Sequence, residues 1–232
     1  MFTALVAYQY GDTAVQMAEQ LFPAVRNSEK LIPGAEIHFA EVVFAGRLEQ
    51  AYAARGERTG WTALNQAVGP FGFDIEPDLA REIDTLWSYG FTVEDRVHRL
   101  ARDFSRGLLL LGFGFGRAMR ERKGTGFPCA LLMWWQFRRR MLEQAEQNEG
   151  NSLDFSAKAL QEMVVKQLGL RFLGLSSRKT HAVILLWGLP YVYDYLYSLG
   201  LVSEGLHSGM MDKVKWVKEL LLKGIGARPV AA

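Results

Sequence analysis

The amino-acid sequence predicts an α+β fold: a small amino-terminal α/β region with two or three strands, followed by a predominantly α-helical region. Two apolar segments near the start, residues 2–10 and 35–45, are rich in strand-forming residues. Beyond residue 75, apolar residues recur instead at the three- and four-residue spacing of helices. We therefore expect a mixed α/β region over residues 1–74 and a helical region over residues 75–232.

The amino-terminal region is expected to begin with a strand and a helix. The first strand, residues 2–10, is followed by a helix that Asp12 caps and that ends at Pro23. A second strand is expected because Ile37 and Phe39 alternate with polar residues after a Pro-Gly pair. Two further segments complete the region: a helix over residues 46–55, and a glycine-rich connection over 56–74 with local order near 61–68.

The remaining chain is predicted to be helical almost throughout. One helix starts at Pro77, which suits the first helical turn. The next starts at Thr92, where Asp95 completes a pattern similar to a capping box. Further helices are predicted over residues 126–149, from 152 or 154 to 168, over 180–200 with a bend or break at 188–190, and from Ser208 to Gly224.

Charge is distributed unevenly along the chain, although the total is only +2. Residues 1–95 carry 6 Lys and Arg against 14 Asp and Glu, a net −8, whereas residues 96–232 carry 21 against 11, a net +10. Such asymmetry indicates a polyanion or an acidic partner for the basic half. Alternatively, the two halves pack together and neutralise each other.

The positive charge is concentrated in residues 96–140, where 11 Lys and Arg face only Asp103 and Glu121. Arginine dominates, and its planar guanidinium suits phosphate oxygens and carboxylates. Aromatic residues lie between the cations and are expected to stack on bases. The candidate nucleic-acid-binding residues are Arg96, Arg99, Arg102, Arg106, Arg117, Arg120, Arg122, Lys123, Arg138, Arg139 and Arg140.

These features predict a non-enzymatic subunit of a larger assembly that contacts the nucleic-acid backbone independently of sequence, through an arginine-rich helical face. The alternative is a structural or adaptor protein. Its arginines would meet an acidic protein surface, and its Tyr- and Trp-rich carboxy-terminal helices would meet other subunits. In those helices Tyr191, Asp194, Tyr195 and Ser198 are predicted to point outward.

A glycine-rich segment, Gly112-Phe-Gly-Phe-Gly116, raises a third hypothesis, an enzyme with an anion site. A dinucleotide fingerprint requires a third glycine where Arg117 stands, so that motif is absent. Exposed glycine amides ahead of a helix starting at Arg117 would still suit an anion. The commoner interpretation of these glycines is a tight turn between helices.

No catalytic, cofactor-binding or metal-binding residues are predicted. The four histidines are far apart in sequence, and Cys129, the only cysteine, lies in an apolar run. A single cysteine and an amino terminus without a basic leader favour the cytoplasm. Residues 182–201 are long enough to span a bilayer, but Asp194 argues against stable membrane insertion.

Overall fold

The chain folds as an all-α protein. The computed structural model describes residues 11–29, 36–54, 60–147, 152–155, 160 and 177–226. Within these ranges 84% of the residues are helical and no strand occurs, so the predicted α+β class is wrong. The helices are α1 (Gly11–Arg26), α2 (Ile37–Ala53), α3 (Trp61–Val68), α4 (Pro77–Ser88), α5 (Val93–Arg102), α6 (Phe104–Lys123), α7 (Phe127–Glu146), α8 (Ser177–Ser198) and α9 (Glu204–Gly226), with a 3₁₀ turn at Gly69–Phe71.

The second predicted strand is part of helix α2. Its buried residues include Ala40, Phe44, Leu48 and Tyr52, which recur every four residues and line one face of the helix. Ile37, which suggested strand alternation, is exposed instead. Continuous apolar runs do not distinguish a buried helix from a buried strand, and here the four-residue spacing was the informative signal. The first predicted strand, residues 2–10, lies outside the described residues.

Several other boundaries differ from the predictions. Helix α1 continues through Pro23, and α8 continues through Pro190 without the expected break. Helix α9 starts earlier than predicted, because the hydroxyl of Ser203 accepts a hydrogen bond from the Leu206 amide at 3.2 Å. The helices predicted from Pro77, from Thr92 and over residues 126–149 are present. The helix predicted to end at residue 168 falls mostly outside the described residues.

Two compact units can be distinguished along the chain. The first comprises Met1–Thr92 with Arg106–Leu132, and the second comprises Val93–Ser105 with Met133–Ala232. Each unit therefore joins two separate stretches of sequence, and the arginine-rich segment 96–140 contributes to both.

In the first unit, α1 and α2 pack at close range because Gly46 lacks a side chain. A Cβ atom at Gly46 would lie 2.4 Å from Cγ2 of Val15. An ion pair between Arg47 and Glu19 links the same helices. Aromatic rings fill the interior beside them: Phe44 stacks on Phe73 with 4.5 Å between ring centroids.

In the second unit, α7 and α8 meet at Gly188, where a Cβ atom would lie 2.8 Å from Cβ of Met133. Two aromatic pairs extend this contact between the helices. Trp134 meets Tyr195 edge-on at 6.1 Å, and Phe137 meets Tyr193 edge-on at 6.0 Å. Tyr195 is thus buried, contrary to its predicted outward position.

Candidate interaction surface

The eleven predicted cationic residues do not belong to one unit. The first unit holds Arg106, Arg117, Arg120, Arg122 and Lys123, all on α6, whereas the other six belong to the second unit. We therefore describe each group by its own contacts.

Arg106 is engaged by acidic residues of the amino-terminal half. Its Nε donates to Oε2 of Glu82 at 2.8 Å, and Nη1 lies 3.9 Å from Oε2 of Glu76. The hydrogen bond to Glu82 raises the pKa of Arg106, and burial opposes the rise only in part. This guanidinium is committed to carboxylates of its own chain.

Arg117 and Arg120 are committed in the same way. Nη1 of Arg117 donates to the carbonyl oxygens of Leu86 and Trp87 at 3.1 and 2.8 Å, and so satisfies the last turn of α4. Nε of Arg120 lies 3.3 Å from Oε1 of Glu49. The Nε atom of Arg117 also donates to Oε1 of Glu121 at 3.2 Å.

At the end of α6, Arg122 and Lys123 are exposed, and neither has a hydrogen bond or ion pair to any described residue. Among the predicted cationic residues of the first unit, Arg122 and Lys123 are the two without a partner in the described part of the chain.

The second unit contains both engaged and exposed arginines. Nη1 of Arg96 reaches the Leu199 carbonyl at 3.5 Å, and Arg140 pairs with Glu143. Arg99 is half-buried and also interacts within the protein. Arg102 and Arg139 are exposed, without a hydrogen bond or ion pair in the described part of the chain.

Arg138 bridges α7 to the start of α6. Its Nη2 donates to Oγ of Ser105 at 2.7 Å, and lies 3.5 Å from the carbonyl oxygen of the same residue. Burial lowers the pKa of Arg138, and the nearby carboxylate of Asp103 opposes that shift. The Nε atom of Arg138 is buried and has no hydrogen-bond partner.

The aromatic residues between the cations are not arranged for base stacking. Trp135 is half-buried, and the other six are buried: Phe104, Phe113, Phe115, Phe127, Trp134 and Phe137. A base stacks on an accessible ring face. These rings form helix-packing cores instead.

Folding also reduces the charge asymmetry. The first unit carries 11 Lys and Arg against 13 Asp and Glu, a net −2, and the second carries 16 against 12, a net +4. The −8 and +10 halves become nearly balanced units because residues 106–123 fold together with the acidic amino-terminal helices.

Comparison with protein-family models, curated proteins and solved structures finds no match for this chain.

The glycine-rich segment forms neither a turn nor an anion cradle. Residues 112–116 lie inside α6, so their backbone amides belong to a continuous helix. A Cβ atom at Gly116 would lie 3.4 Å from the ring of Phe127, an ordinary van der Waals contact. The prediction that a helix starts at Arg117 is wrong, because Arg117 lies inside the continuous helix α6.

The remaining candidates are a metal site, a membrane-spanning helix and a ligand pocket. Among the described residues, no group of three or more His, Cys, Asp or Glu is placed to hold a metal ion. Within the same ranges, no helix combines the length and apolar character needed to cross a membrane. A shallow groove of about 600 Å³ in the first unit is lined by residues including Trp61 and Asp84, but the Trp61 indole already donates to Asp84 at 2.8 Å.

Large apolar side chains are exposed mainly on the second unit. Of ten such residues in the described ranges, seven belong to this unit: Val93, Val97, Val183, Trp187, Tyr197, Trp216 and Leu220. Val97 is 52% exposed, Trp187 38% and Trp216 47%. Trp216 was not singled out from the sequence, although its position between Lys215 and Lys218 indicated a solvent-facing aromatic residue.

Proposed function

We propose that this chain is a non-enzymatic adaptor that binds a partner protein through the second unit. The observation that carries the proposal is the concentration there of exposed aromatic and apolar side chains on α5, α8 and α9. Exposed apolar patches on soluble domains mark interaction sites, and Trp and Tyr are enriched where partner proteins bind most tightly.

Helix α8 supports this proposal most clearly, because it exposes two large apolar side chains on the face opposite its buried leucines. Leu185, Leu189 and Leu196 face the interior, whereas Val183 and Trp187 are exposed on another face. The exposed face also carries Asp194, and large apolar side chains exposed together mark a face that a partner covers. The exposed stripe of α8 is therefore where the partner is expected to bind.

The charges around the exposed aromatic residues are of both signs and suit a partner surface of mixed charge. Beside Trp216 on α9, Lys215 is exposed, and Asp212 and Glu219 are exposed one helical turn away on the same face. Arg102 and Arg139 add exposed positive charge elsewhere in the same unit. An aromatic centre with a charged rim is the usual composition of a protein–protein interface.

The test is affinity capture with three forms of the full chain: the unaltered chain, the double variant Trp187→Ser/Trp216→Ser, and Tyr89→Ser. Tyr89 is 90% exposed in the first unit and serves as the matched control. We expect the unaltered chain and the control to recover the same stoichiometric partner. Recovery by the double variant should fall about tenfold or more, as loss of interface tryptophans predicts. Equal recovery by all three would contradict the proposal.

The second candidate function is contact with a nucleic-acid backbone. It is favoured by four exposed cations that have no hydrogen bond or ion pair to a described residue: Arg102, Arg122, Lys123 and Arg139. It predicts an affinity for RNA or DNA that falls steeply with salt, because each phosphate contact releases counterions. The variant Arg102→Glu/Arg139→Glu should then bind more weakly. If neither RNA nor DNA binds above background at low salt, this second candidate is wrong.

A further inference from the structure

A serine at the junction of α5 and α6 combines three features of a regulated phosphorylation site. Ser105 is exposed, lies in the first turn of α6, and accepts a hydrogen bond from the Arg138 guanidinium. Arg102 precedes it by three residues. We propose that Ser105 is the phosphoacceptor of an arginine-directed protein kinase and that Arg138 binds the resulting phosphate. This inference is independent of the proposed adaptor function.

Sequence and burial together single out Ser105. Arginine three residues before the acceptor is a charge pattern that one class of kinases recognises. Over the whole sequence, only Ser105 and Thr125 have arginine at that position, Arg102 and Arg122 respectively. Thr125 is only 6% exposed. In the folded chain, the pattern is accessible at Ser105 alone.

The surroundings of Ser105 suit a phosphate better than a hydroxyl. A phosphoserine carries a charge of about −1.5 to −2 at pH 7 and three strong acceptor oxygens. The Nη2 atom of Arg138 already lies 2.7 Å from Oγ of Ser105, so the phosphate would form beside this guanidinium. The first turn of α6 adds the favourable end of a helix dipole. The carboxylate of Asp103 near Arg138 opposes the new charge, whereas the Arg138 guanidinium and the helix dipole favour it.

The junction also provides access for a kinase. Asp103 separates α5 from α6, and helix ends open at lower cost than helix interiors. In the reaction, the Oγ–P bond of phosphoserine forms as the bond between the β–γ bridging oxygen and the γ-phosphorus of ATP breaks. The serine proton passes to the kinase base, and ADP leaves.

The experiment treats the full chain with MgATP and the catalytic domain of an arginine-directed serine/threonine kinase, and locates phosphate by peptide mass spectrometry. We expect one phosphate, at Ser105, and none there in Ser105→Ala. Ser88 is exposed but has no arginine three residues earlier, and should remain unmodified. Arg102→Ala should slow incorporation about tenfold or more, as expected for loss of a charged recognition contact. Phosphorylation of an unfolded peptide of residues 98–112, but not of the folded chain, would overturn the proposal.

The role of Arg138 is tested by thermal unfolding of the phosphorylated and unmodified chains. We expect phosphorylation to raise the melting temperature by about 2–4 °C, the range for one strong added interaction in a chain of this size. In Arg138→Gln, the same modification should give a clearly smaller rise, because only the helix dipole then favours the phosphate. A rise of equal size in Arg138→Gln, or a fall in the unaltered chain, would show that Arg138 does not hold the phosphate.

Discussion

Tyr193 is the residue whose hydrogen bonds most clearly hold a loop to a helix. Its buried hydroxyl donates to the Leu153 carbonyl at 2.7 Å and accepts from the Phe155 amide at 3.0 Å. Burial raises the pKa of Tyr193, so the hydroxyl stays protonated at physiological pH and continues to donate. The segment around Phe155 is thereby fixed against α8.

Replacing Tyr193 with phenylalanine leaves the Leu153 carbonyl and the Phe155 amide without this partner. We expect Tyr193→Phe to lower the free energy of unfolding by about 1–3 kcal/mol, the cost of unsatisfied buried groups. Urea denaturation measures the change. Tyr89→Phe removes an exposed hydroxyl and should have little effect. A Tyr193→Phe variant as stable as this control would contradict the assigned hydrogen bonds.

Cys129 lies in an apolar run of the sequence, which favours an unreactive structural thiol. In the structure Cys129 is buried. Burial raises the pKa of Cys129 from 9.0 to about 11. The folded chain therefore keeps its thiol protonated where the unfolded chain ionises. This contribution to stability is fully present below pH 9 and is lost as the pH rises through about 11.

Two measurements follow for Cys129. At pH 8 the native chain should react negligibly with a disulfide reagent, and the denatured chain should release one equivalent, because the sequence has one cysteine. Between pH 9 and 11 the unfolding free energy should fall, and fall less in Cys129→Ala. Rapid reaction of the native chain at pH 8 would show that the thiol is accessible.

At the level of helices, the pairing of α1 with α2 depends on the missing side chain at Gly46. We expect Gly46→Ala to cost about 1–3 kcal/mol of stability through overpacking against Val15. The second change Val15→Ala should recover part of that loss, since it removes the two methyl groups that the new Cβ meets at 2.4 and 3.1 Å. A double variant no more stable than Gly46→Ala would show that the close approach lies elsewhere.

Helix α7 begins against a carboxylate supplied by α2. Oε2 of Glu49 accepts from the Phe127 amide at 2.9 Å, while Oε1 faces Arg120. A carboxylate at a helix amino terminus satisfies an unpaired amide and interacts favourably with the helix dipole. We expect Glu49→Ala to lower the unfolding free energy by about 1–2 kcal/mol in a denaturation series. Glu49→Gln keeps an acceptor and should cost less; equal losses would assign the effect to charge alone.

The sequence predicted helices best where capping residues and apolar spacing agree, as at Pro77 and Thr92. It failed where long-range packing decides the outcome. The apolar stretch in α2 satisfies strand and helix patterns alike, and the close approach of Met133 to Gly188 in α8 is set by the tertiary fold. Such approaches involve residues far apart in sequence, so local propensity does not reveal them.

For the whole molecule, the main correction concerns charge. The arginine-rich segment was expected to form one cationic face with aromatic residues exposed between its arginines. Instead, Arg106 and Arg120 pair with Glu82 and Glu49, and Arg117 satisfies the end of α4. Which acidic groups an arginine meets depends on the tertiary fold, and periodicity along one helix does not determine it. The sequence predicted Tyr- and Trp-rich carboxy-terminal helices with a contact surface, and Trp187, Tyr197 and Trp216 are exposed on α8 and α9.

As the proposed adaptor, this chain binds a partner protein, while arginines such as Arg106 and Arg120 are engaged by carboxylates of their own chain. The most direct measurement is the mass and the 260/280 nm absorbance ratio of the native complex, purified at low salt from cells that express the chain. The adaptor proposal predicts a stoichiometric protein partner and an absorbance ratio typical of protein. A complex whose added mass is nucleic acid, released by raising the salt, would contradict it.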